Sequence, residues 1–254
     1  MSAPVSVVMA VFNGREFLRE QVDSVLVQLE PGDELLVIDD ASTDEGLVAL
    51  LALALPQVRI LTNPRNIGVV RSFERGLALA RHEVVFLCDQ DDVWLPGKRA
   101  AYAAEFERDG AVCVVISDCE VIDAEGKVTA ASFMASRGGF DGSLMGTLWR
   151  NRYIGCAMAV RRSLLPITLP FPATVPMHDM WLGAMGAIFG RVVYLPQPYQ
   201  RYRRHSRNLT PIRSQRRWLQ LLHWRISLAW YLALRVLRVR LGLRTTNNNS
   251  PEAG

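Results

Sequence analysis

Apolar and amphipathic segments alternate along the first hundred residues of the chain. Short apolar runs predict strands at residues 5–11, 34–38, 58–61 and 83–88, and the first, rich in β-branched residues, is typical of a strand covered on both faces. Between these runs, apolar positions recur at spacings of three and four, which predicts helices that begin near Leu18, Gly46 and Val69. This order of strand, helix and strand is typical of an α/β domain with a parallel sheet.

The second half of the chain is less regular. Apolar runs predict strands at residues 111–117, 156–160 and 191–195 and a helix over 177–189, whereas 118–140 reads as a loop or hairpin. Pro196 and Pro198 predict the end of the last strand. We therefore predict one α/β domain over residues 1–211, an amphipathic helical tail over 212–244 and a disordered terminus over 245–254.

Acidic residues follow two of the predicted strands. Asp39 and Asp40 end the second strand, and the segment DQDD (residues 89–92) ends the fourth. Ligands of open parallel sheets bind beyond the carboxyl ends of the strands, so both clusters predict one cleft. Two carboxylates one residue apart can bind a hard divalent cation, which would neutralise the charge of a departing diphosphate. For a bare D-x-D motif the alternative is a solvated acidic turn.

Several segments, in this order, resemble family 2 glycosyltransferases. They are VSVVMAVFNG (5–14), DDASTD (39–44), NIG (66–68), DQDD (89–92) and HDMW (178–181). Members of that family are inverting enzymes of GT-A fold, with a Rossmann-like mixed sheet, that use nucleotide-sugar donors. The resemblance covers about residues 4–210 and implies the same fold and activity. It looks closest to the branch with bacterial rhamnosyltransferases, because YRRH (202–205) is similar to a segment of that branch.

This resemblance also implies roles for individual residues. Asp40, with Asp39 beside it, is expected to hydrogen-bond the nucleotide base, and Asp89 is expected to face the ribose. Asp91 and His205 are expected to bind Mg²⁺ or Mn²⁺. The other residues expected to bind the donor are Ala10, Phe12, Asn13, Arg71 and Gln90, although Arg71 could equally be a solvated helix arginine.

The resemblance implies that Asp179 is the catalytic base. Inversion needs one base that takes a proton from the acceptor hydroxyl as it attacks. From spacing alone, a carboxylate at this helix start could equally be an N-cap, and the two roles are compatible. His205 is expected in a loop that closes over the diphosphate, with arginines at 201, 203, 204 and 207. A basic surface loop is the alternative.

Charge is distributed unevenly along the chain. Residues 1–179 carry a net charge of −8, whereas residues 180–254 carry 13 arginines and the single acid Glu252, a net charge of +12. The basic end favours an anionic partner. The longest charge-free run of the tail, residues 226–234, is nine residues, whereas crossing a bilayer takes about 20.

We therefore predict that the tail lies on the cytoplasmic membrane face and that the protein is cytoplasmic and peripheral. Ile226, Ala229, Ala233 and Leu237 fall on its apolar face. The alternative is packing on the enzyme's own body or on a second subunit, as a homodimer. Nucleic acid is not an expected partner, because no recognition module accompanies the charge. The acceptor implied by the resemblance is a carbohydrate, either a cell-surface glycan or a lipid-linked glycan, and one implied donor is dTDP-rhamnose.

Two other function classes fit part of the sequence. Asp89, Asp91 and Val93 match the D-x-D-x-(T/V) pattern of haloacid-dehalogenase-type phosphatases, although three predicted strands precede it. A non-catalytic nucleotide-binding module on a membrane is the other alternative. A dinucleotide dehydrogenase is excluded because no G-x-G-x-x-G follows the first strand. The four cysteines show no C-x-x-C spacing, which argues against a zinc module and favours a reducing compartment.

Overall fold

The structure, a computed structural model, describes residues 3–51, 55–149, 151–173, 175, 177–206 and 218–243. The strands in these residues are β1 (Val5–Val11), β2 (Glu34–Asp39), β3 (Val58–Thr62), β4 (Val84–Asp89), β5 (Val93–Trp94), β6 (Val112–Ile122), β7 (Val128–Ala130), β8 (Met158–Arg161) and β9 (Arg191–Arg203). The helices are α1 (Leu18–Leu26), α2 (Gly46–Leu51), α3 (Val69–Leu79), α4 (Lys98–Arg108), α5 (Leu144–Trp149), α6 (Leu165–Thr168), α7 (His178–Phe189) and α8 (Trp218–Arg240).

The first four long strands form a parallel half-sheet in the order β3, β2, β1, β4. The apolar runs of β1, β2 and β4 are buried on both faces, as predicted for β1, whereas the edge strand β3 is only half-buried. On one face Val8 packs in a cluster with Phe73 of α3, and on the other Val7 packs in a cluster with Val22 of α1. Because successive side chains of a strand point to opposite faces, a continuous apolar run contributes side chains to both clusters.

The rest of the sheet is mixed. Beyond β4 the order continues with β8, β6, β9 and β5, and β8 is antiparallel to both of its neighbours. β6 and β9 are parallel, whereas β5 pairs with β9 in the antiparallel direction and β7 forms a hairpin with β6. The predicted α/β class with a Rossmann-like mixed sheet is therefore confirmed.

The predicted end of the last strand is wrong. β9 continues through Pro196 and Pro198 to Arg203, and β6 continues past Ser117 to Ile122 beside it. The pairing of the two strands shifts register where Ser117 faces Leu195 and Asp118 faces Pro198. Such an irregularity leaves backbone groups out of the ladder, so the missing N–H of a proline costs little there.

The apolar periodicity does not predict α4. Two basic residues, Lys98 and Arg99, lie on its buried face together with Tyr102 and Phe106, and they interrupt the apolar pattern. Arg99 is satisfied by an ion pair to Asp33, with 2.8 Å between Nε and Oδ2. Buried cations of this kind need a partner that is distant in sequence, which a local pattern cannot reveal.

The helix α8 lies within the predicted tail and packs on α5, α6 and α7. Leu228 and Leu232 are buried against the body. The predicted disordered terminus 245–254 and the arginine at 207 lie outside the described residues. Among the residues that the structure describes, no helix combines the length and the apolar character needed to cross a membrane.

Candidate active site

Parallel pairing brings both acidic clusters to one edge of the sheet. Val11 at the end of β1 faces Asp39 of β2, and Ala10 faces Asp89 of β4. The three strand ends are therefore level, with β1 between the two acidic strands. This edge is the position at which a parallel sheet binds its ligand.

Gln90 joins the ends of β1 and β4. The backbone N–H of Phe12 donates to Oε1 of Gln90 over 2.8 Å, and Nε2 of Gln90 donates to the carbonyl of Phe12 over 3.0 Å. A Cβ at position 14 would lie 2.6 Å from the same Oε1, so Gly14 allows this close approach. The Phe12 ring is 44% exposed at the rim, where a planar base could stack on it.

The loops after β1 and β2 are joined by polar contacts. Asn13 adopts a left-handed backbone conformation with a φ of 50°, which asparagine tolerates better than most residues. Its N–H donates to Oγ of Ser42 over 3.0 Å, and its Oδ1 accepts from the N–H of Thr43 over 2.8 Å. The Oδ1 of Asp39 accepts from the N–H of Ser42 over 3.0 Å. These hydrogen bonds fix the positions of the two loops that line the predicted base pocket.

Asp40 holds the loop that follows β3. Its carboxylate accepts from Asn63 Nδ2 over 2.8 Å and from the N–H groups of Ile67 and Gly68 over 2.9 and 2.8 Å. A carboxylate offers about four acceptor positions, so one is left for a ligand. The base contact assigned to Asp40 stays a prediction.

Arg71 is directed toward the segment after α6. Its Nη1 lies 2.7 Å from Oε2 of Glu74 and donates to the carbonyl of Phe171 over 3.1 Å. The side chain is about one-third exposed, so a ligand could still reach it. Its predicted contact with the donor stays a prediction.

The structure brings the two predicted metal ligands together. Nε2 of His205 lies 2.8 Å from Oδ2 of Asp91, although the two residues are 114 positions apart. His205 lies two residues after the end of β9, and its ring packs against Phe17 with centroids 5.0 Å apart. Carboxylate oxygen is the ligand type that Mg²⁺ and Mn²⁺ prefer.

The carboxylates of the DQDD segment repel one another. Burial, and then the charges of Asp92, Asp91 and Asp179, raise the pKa of Asp89 well above its usual range. Burial and the neighbouring Asp91 raise the pKa of Asp92 to about 7. A divalent cation at Asp91 would relieve this repulsion, so the residues present fit a metal site.

A second group of candidate ligands lies deeper. Asp89, Asp92 and Cys156 place their ligand atoms within 4.8 Å of one another. Burial raises the pKa of the Cys156 thiol, so it stays protonated and is a poor ligand for a hard cation. Both oxygens of Asp92 already accept hydrogen bonds, from Nε2 of Gln200 and the N–H of Arg203. Asp91 and His205 are therefore the better donor set.

Asp179 lies at the first turn of α7 and is 3% exposed. Burial raises its pKa to about 6. Its Oδ1 accepts from Asn151 Nδ2 over 3.2 Å and from the N–H of Met180 over 2.5 Å. A carboxylate with this pKa is ionised at neutral pH and can still take a proton. The N-cap alternative is wrong, because α7 begins at His178 with Met177 as its N-cap, and Asp179 is the second residue of the helix.

Sequence reasoning missed several residues around this site. Lys98 is fully buried, and its Nζ donates to the carbonyl of Cys156 over 2.8 Å and to the side chain of Gln200. Gln200 in turn donates to Asp92. The partners of Lys98 are 58 and 102 positions away, so no local pattern marks it.

His178 is a further residue without an assigned role in the sequence. It is 4% exposed and stacks on Phe73 with centroids 4.2 Å apart. Neither ring nitrogen has a hydrogen-bond partner among the described residues. Burial lowers its pKa to about 3, so the imidazole is neutral.

The predicted arginine-rich loop is wrong for Arg201 and Arg203, which lie in β9. The guanidinium of Arg203 is 2% exposed, donates to the carbonyl of Asp91 over 2.8 Å and pairs with Glu20. Arg203 therefore supports the backbone of the DQDD segment. Arg201 pairs with Glu120 on the surface.

Known proteins show similarity over most of the chain. A family model described as "Glycosyl transferase family 2" matches residues 6–166. An uncharacterized protein of Mycobacterium tuberculosis is 30% identical over 210 residues, which cover 81% of this chain and 60% of that protein. The Escherichia coli enzyme WfgD, named as a UDP-Glc:alpha-D-GlcNAc-diphosphoundecaprenol beta-1,3-glucosyltransferase, is 26% identical over 169 residues, 66% of this chain and 64% of its own.

Solved structures show the same fold. Residues 1–349 of TarS from S. aureus, in complex with UDP-GlcNAc, match with a TM-score of 0.69 and 16% identity, over 96% of this chain and 68% of that chain. The chain spans about 60% of the length of its mycobacterial relatives. The family match supports neither a phosphatase nor a non-catalytic module. Since the family model covers more than half of the chain and the fold agrees, this protein belongs to glycosyltransferase family 2.

Proposed function

We propose that this protein is an inverting glycosyltransferase that moves a sugar from a nucleotide-diphosphate donor to a carbohydrate acceptor. One observation carries the proposal. Three separate segments of the chain come together at the carboxyl edge of the parallel half-sheet. His205 contacts Asp91 of the DQDD segment, and Asp179 is close enough for its charge to act on Asp89 of the same segment. This arrangement combines a cation site and a candidate base in one cleft.

The donor half of the site lies at the strand ends. Ala10, Phe12, Asn13 and Asp39 would surround the base, and Asp89 would face the ribose. Asp91 and His205 would hold Mg²⁺ or Mn²⁺, which when bound supplies positive charge to the donor diphosphate. Gln90 keeps the two loops of this pocket at a fixed distance through its paired bonds to Phe12.

The acceptor half of the site lies around Asp179. Its carboxylate would take the proton of the acceptor hydroxyl as that oxygen attacks the anomeric carbon. Asn151 orients the carboxylate by donating to Oδ1. Burial keeps the pKa high enough for proton transfer and also excludes competing water.

We propose a lipid-linked glycan as the acceptor, at the cytoplasmic face of a membrane with which the protein associates peripherally. The printed name of WfgD includes a diphosphoundecaprenol-linked acceptor, which supports this choice at 26% identity. The donor to test first is dTDP-rhamnose, because residues 202–205 are similar to a segment of rhamnosyltransferases. UDP-glucose and UDP-GlcNAc are the comparison donors.

Thermal unfolding with a panel of these donors, with and without Mn²⁺, tests the proposal. A ligand that binds the native state raises the midpoint of unfolding. We expect at least one donor to raise it only when Mn²⁺ is present. Asp91→Asn should lose this metal-dependent rise, whereas Asp179→Asn should keep it but lose sugar transfer.

A matched control is Glu125→Gln, which removes an exposed carboxylate in the turn between β6 and β7. It should respond to donor and metal as the wild-type protein does. An Asp91→Asn variant with an unchanged metal response, or an Asp179→Asn variant with near-wild-type turnover, would contradict the assigned roles.

A further inference from the structure

One face of α8 packs against the rest of the protein. Leu228 and Leu232 are buried there, and Arg235 is only 7% exposed. The Arg235 guanidinium donates to the carbonyls of Ile167, Leu169 and Pro170 over 3.2, 3.0 and 2.7 Å. These contacts fix the rotation of the helix about its own axis.

The opposite face of α8 is apolar and exposed. It consists of Ile226, Trp230, Ala233 and Leu237, continued by Leu241 in the turn that follows the helix, and we call these five residues the α8 stripe. Their spacings of four, three, four and four place them on one side of the helix. Ile226, Trp230 and Leu241 are 61–62% exposed and Leu237 is 53% exposed. A contiguous apolar surface of this kind indicates an interaction site.

The charges beside the stripe are all positive. Arg238 and Arg240 are exposed, one on each flank of the stripe. No aspartate or glutamate occurs from Met180 to Arg244. A second copy of this face would bring arginines against arginines, which is unfavourable. A surface of anionic lipid headgroups complements the stripe and its charges together.

We infer that the α8 stripe docks on an anionic membrane surface, with the helix axis parallel to the bilayer. Ile226, Leu237 and Leu241 would enter the boundary of the acyl chains, and Trp230 would lie at headgroup level. Arg238 and Arg240 would contact lipid phosphates. The inference deepens the proposed function by naming the docking surface, and it rests on that function for its purpose, access to a lipid-linked acceptor.

The position of α8 connects this surface to the site. The helix packs on α7, whose first turn carries Asp179, and on α5, which precedes Asn151. A docked α8 would therefore hold the acceptor half of the site at a constant distance from the membrane. Two-dimensional confinement of enzyme and acceptor raises their effective concentration.

Vesicle co-sedimentation of the full chain tests the docking surface. Vesicles of phosphatidylcholine with phosphatidylglycerol are compared with vesicles of phosphatidylcholine alone. We expect preferential binding to the anionic vesicles, and we expect the double variant Trp230→Ser, Leu237→Ser to lower the partition coefficient about 10-fold or more. The double variant Arg238→Gln, Arg240→Gln should lose the preference for phosphatidylglycerol.

The control is Val27→Ser, which removes an 82% exposed apolar side chain at the end of α1, away from α8. It should bind vesicles as the wild-type protein does. Three results would overturn the inference. They are a stripe variant that partitions like the wild-type protein, a wild-type protein with no preference for anionic vesicles, and a wild-type dimer in solution that becomes monomeric in the stripe variant. Metal-dependent stabilisation by donor, measured on the same samples, reports on the proposed function separately.

Discussion

At the scale of single residues, the carboxyl group of Asp179 shows how function and stability oppose each other. It is 3% exposed at the start of α7, and burial raises its pKa to about 6. An unfolded chain ionises an aspartate near pH 3.9. The folded state therefore resists an ionisation that the unfolded state accepts, and this difference destabilises the protein at neutral pH.

The substitution Asp179→Asn should therefore stabilise the protein while it abolishes transfer. The cost of ionising Asp179 is fully present above pH 6, declines as the pH falls and is absent below about pH 4. We expect the free energy of unfolding in urea to rise by up to about 3 kcal/mol at pH 8, and the gain to shrink toward pH 4. An asparagine variant less stable than wild type at pH 8 would contradict this account, with Glu125→Gln as the unchanged reference.

At the scale of elements, β9 is the strand that holds the DQDD segment in place. Gln200 and Arg203 donate to the two oxygens of Asp92, and Arg203 also donates to the backbone of Asp91. His205, two residues after the end of β9, contacts the Asp91 side chain. One continuous strand thus positions three groups that contact DQDD.

Replacing Arg203 with lysine should weaken this assembly. Its guanidinium reaches the carbonyls of Asp91 and Ala124 and the carboxylate of Glu20, and a single ammonium group cannot make all three contacts. We expect Arg203→Lys to lower the free energy of unfolding by about 2–4 kcal/mol and to weaken the stabilisation by Mn²⁺.

Arg201→Lys is the matched control on the same strand. Arg201 pairs with Glu120 and its side chain is 41% exposed, so the change should cost less than about 1 kcal/mol. Urea unfolding of both variants gives the comparison. Equal effects would show that Arg203 does not support the segment.

At the scale of the whole molecule, the pocket proposed for the donor and the candidate base lie on different parts of the fold. The parallel half carries the pocket proposed for the donor, whereas α7 and the loop with Asn151 carry the candidate base. The helix α8 packs on α5, α6 and α7 and is held there by Arg235. Its attachment decides which face the helix presents to the surroundings.

Arg235→Met should loosen α8 without affecting the sheet. The change leaves the carbonyls of Ile167, Leu169 and Pro170 without their shared donor. In hydrogen exchange followed by mass spectrometry, we expect amides of α8 to exchange about 10-fold faster or more, while those of β1 and β4 stay unchanged. Arg238→Met, on the exposed side of the same helix, should leave α8 as in wild type.

The sequence predicts features whose cause is local. The runs that become β1, β2 and β4 are visible because a strand covered on both faces must be apolar at every position. The acidic clusters after β2 and β4 can also be recognised in the sequence, because each begins where an apolar run ends. The likeness of these segments to a known family then identified the residues expected at the site.

The tertiary structure decided the features that depend on distant partners. Asp91 and His205 meet across 114 positions, and β9 passes through two prolines because β6 shifts register beside it. Arg235 carries a charge, yet it is buried because three carbonyls near α6 accept its hydrogen bonds. The spacing of hydrophobic residues can be read from a short stretch of sequence. The partner of a buried polar group can lie anywhere in the chain, so only the folded structure identifies it.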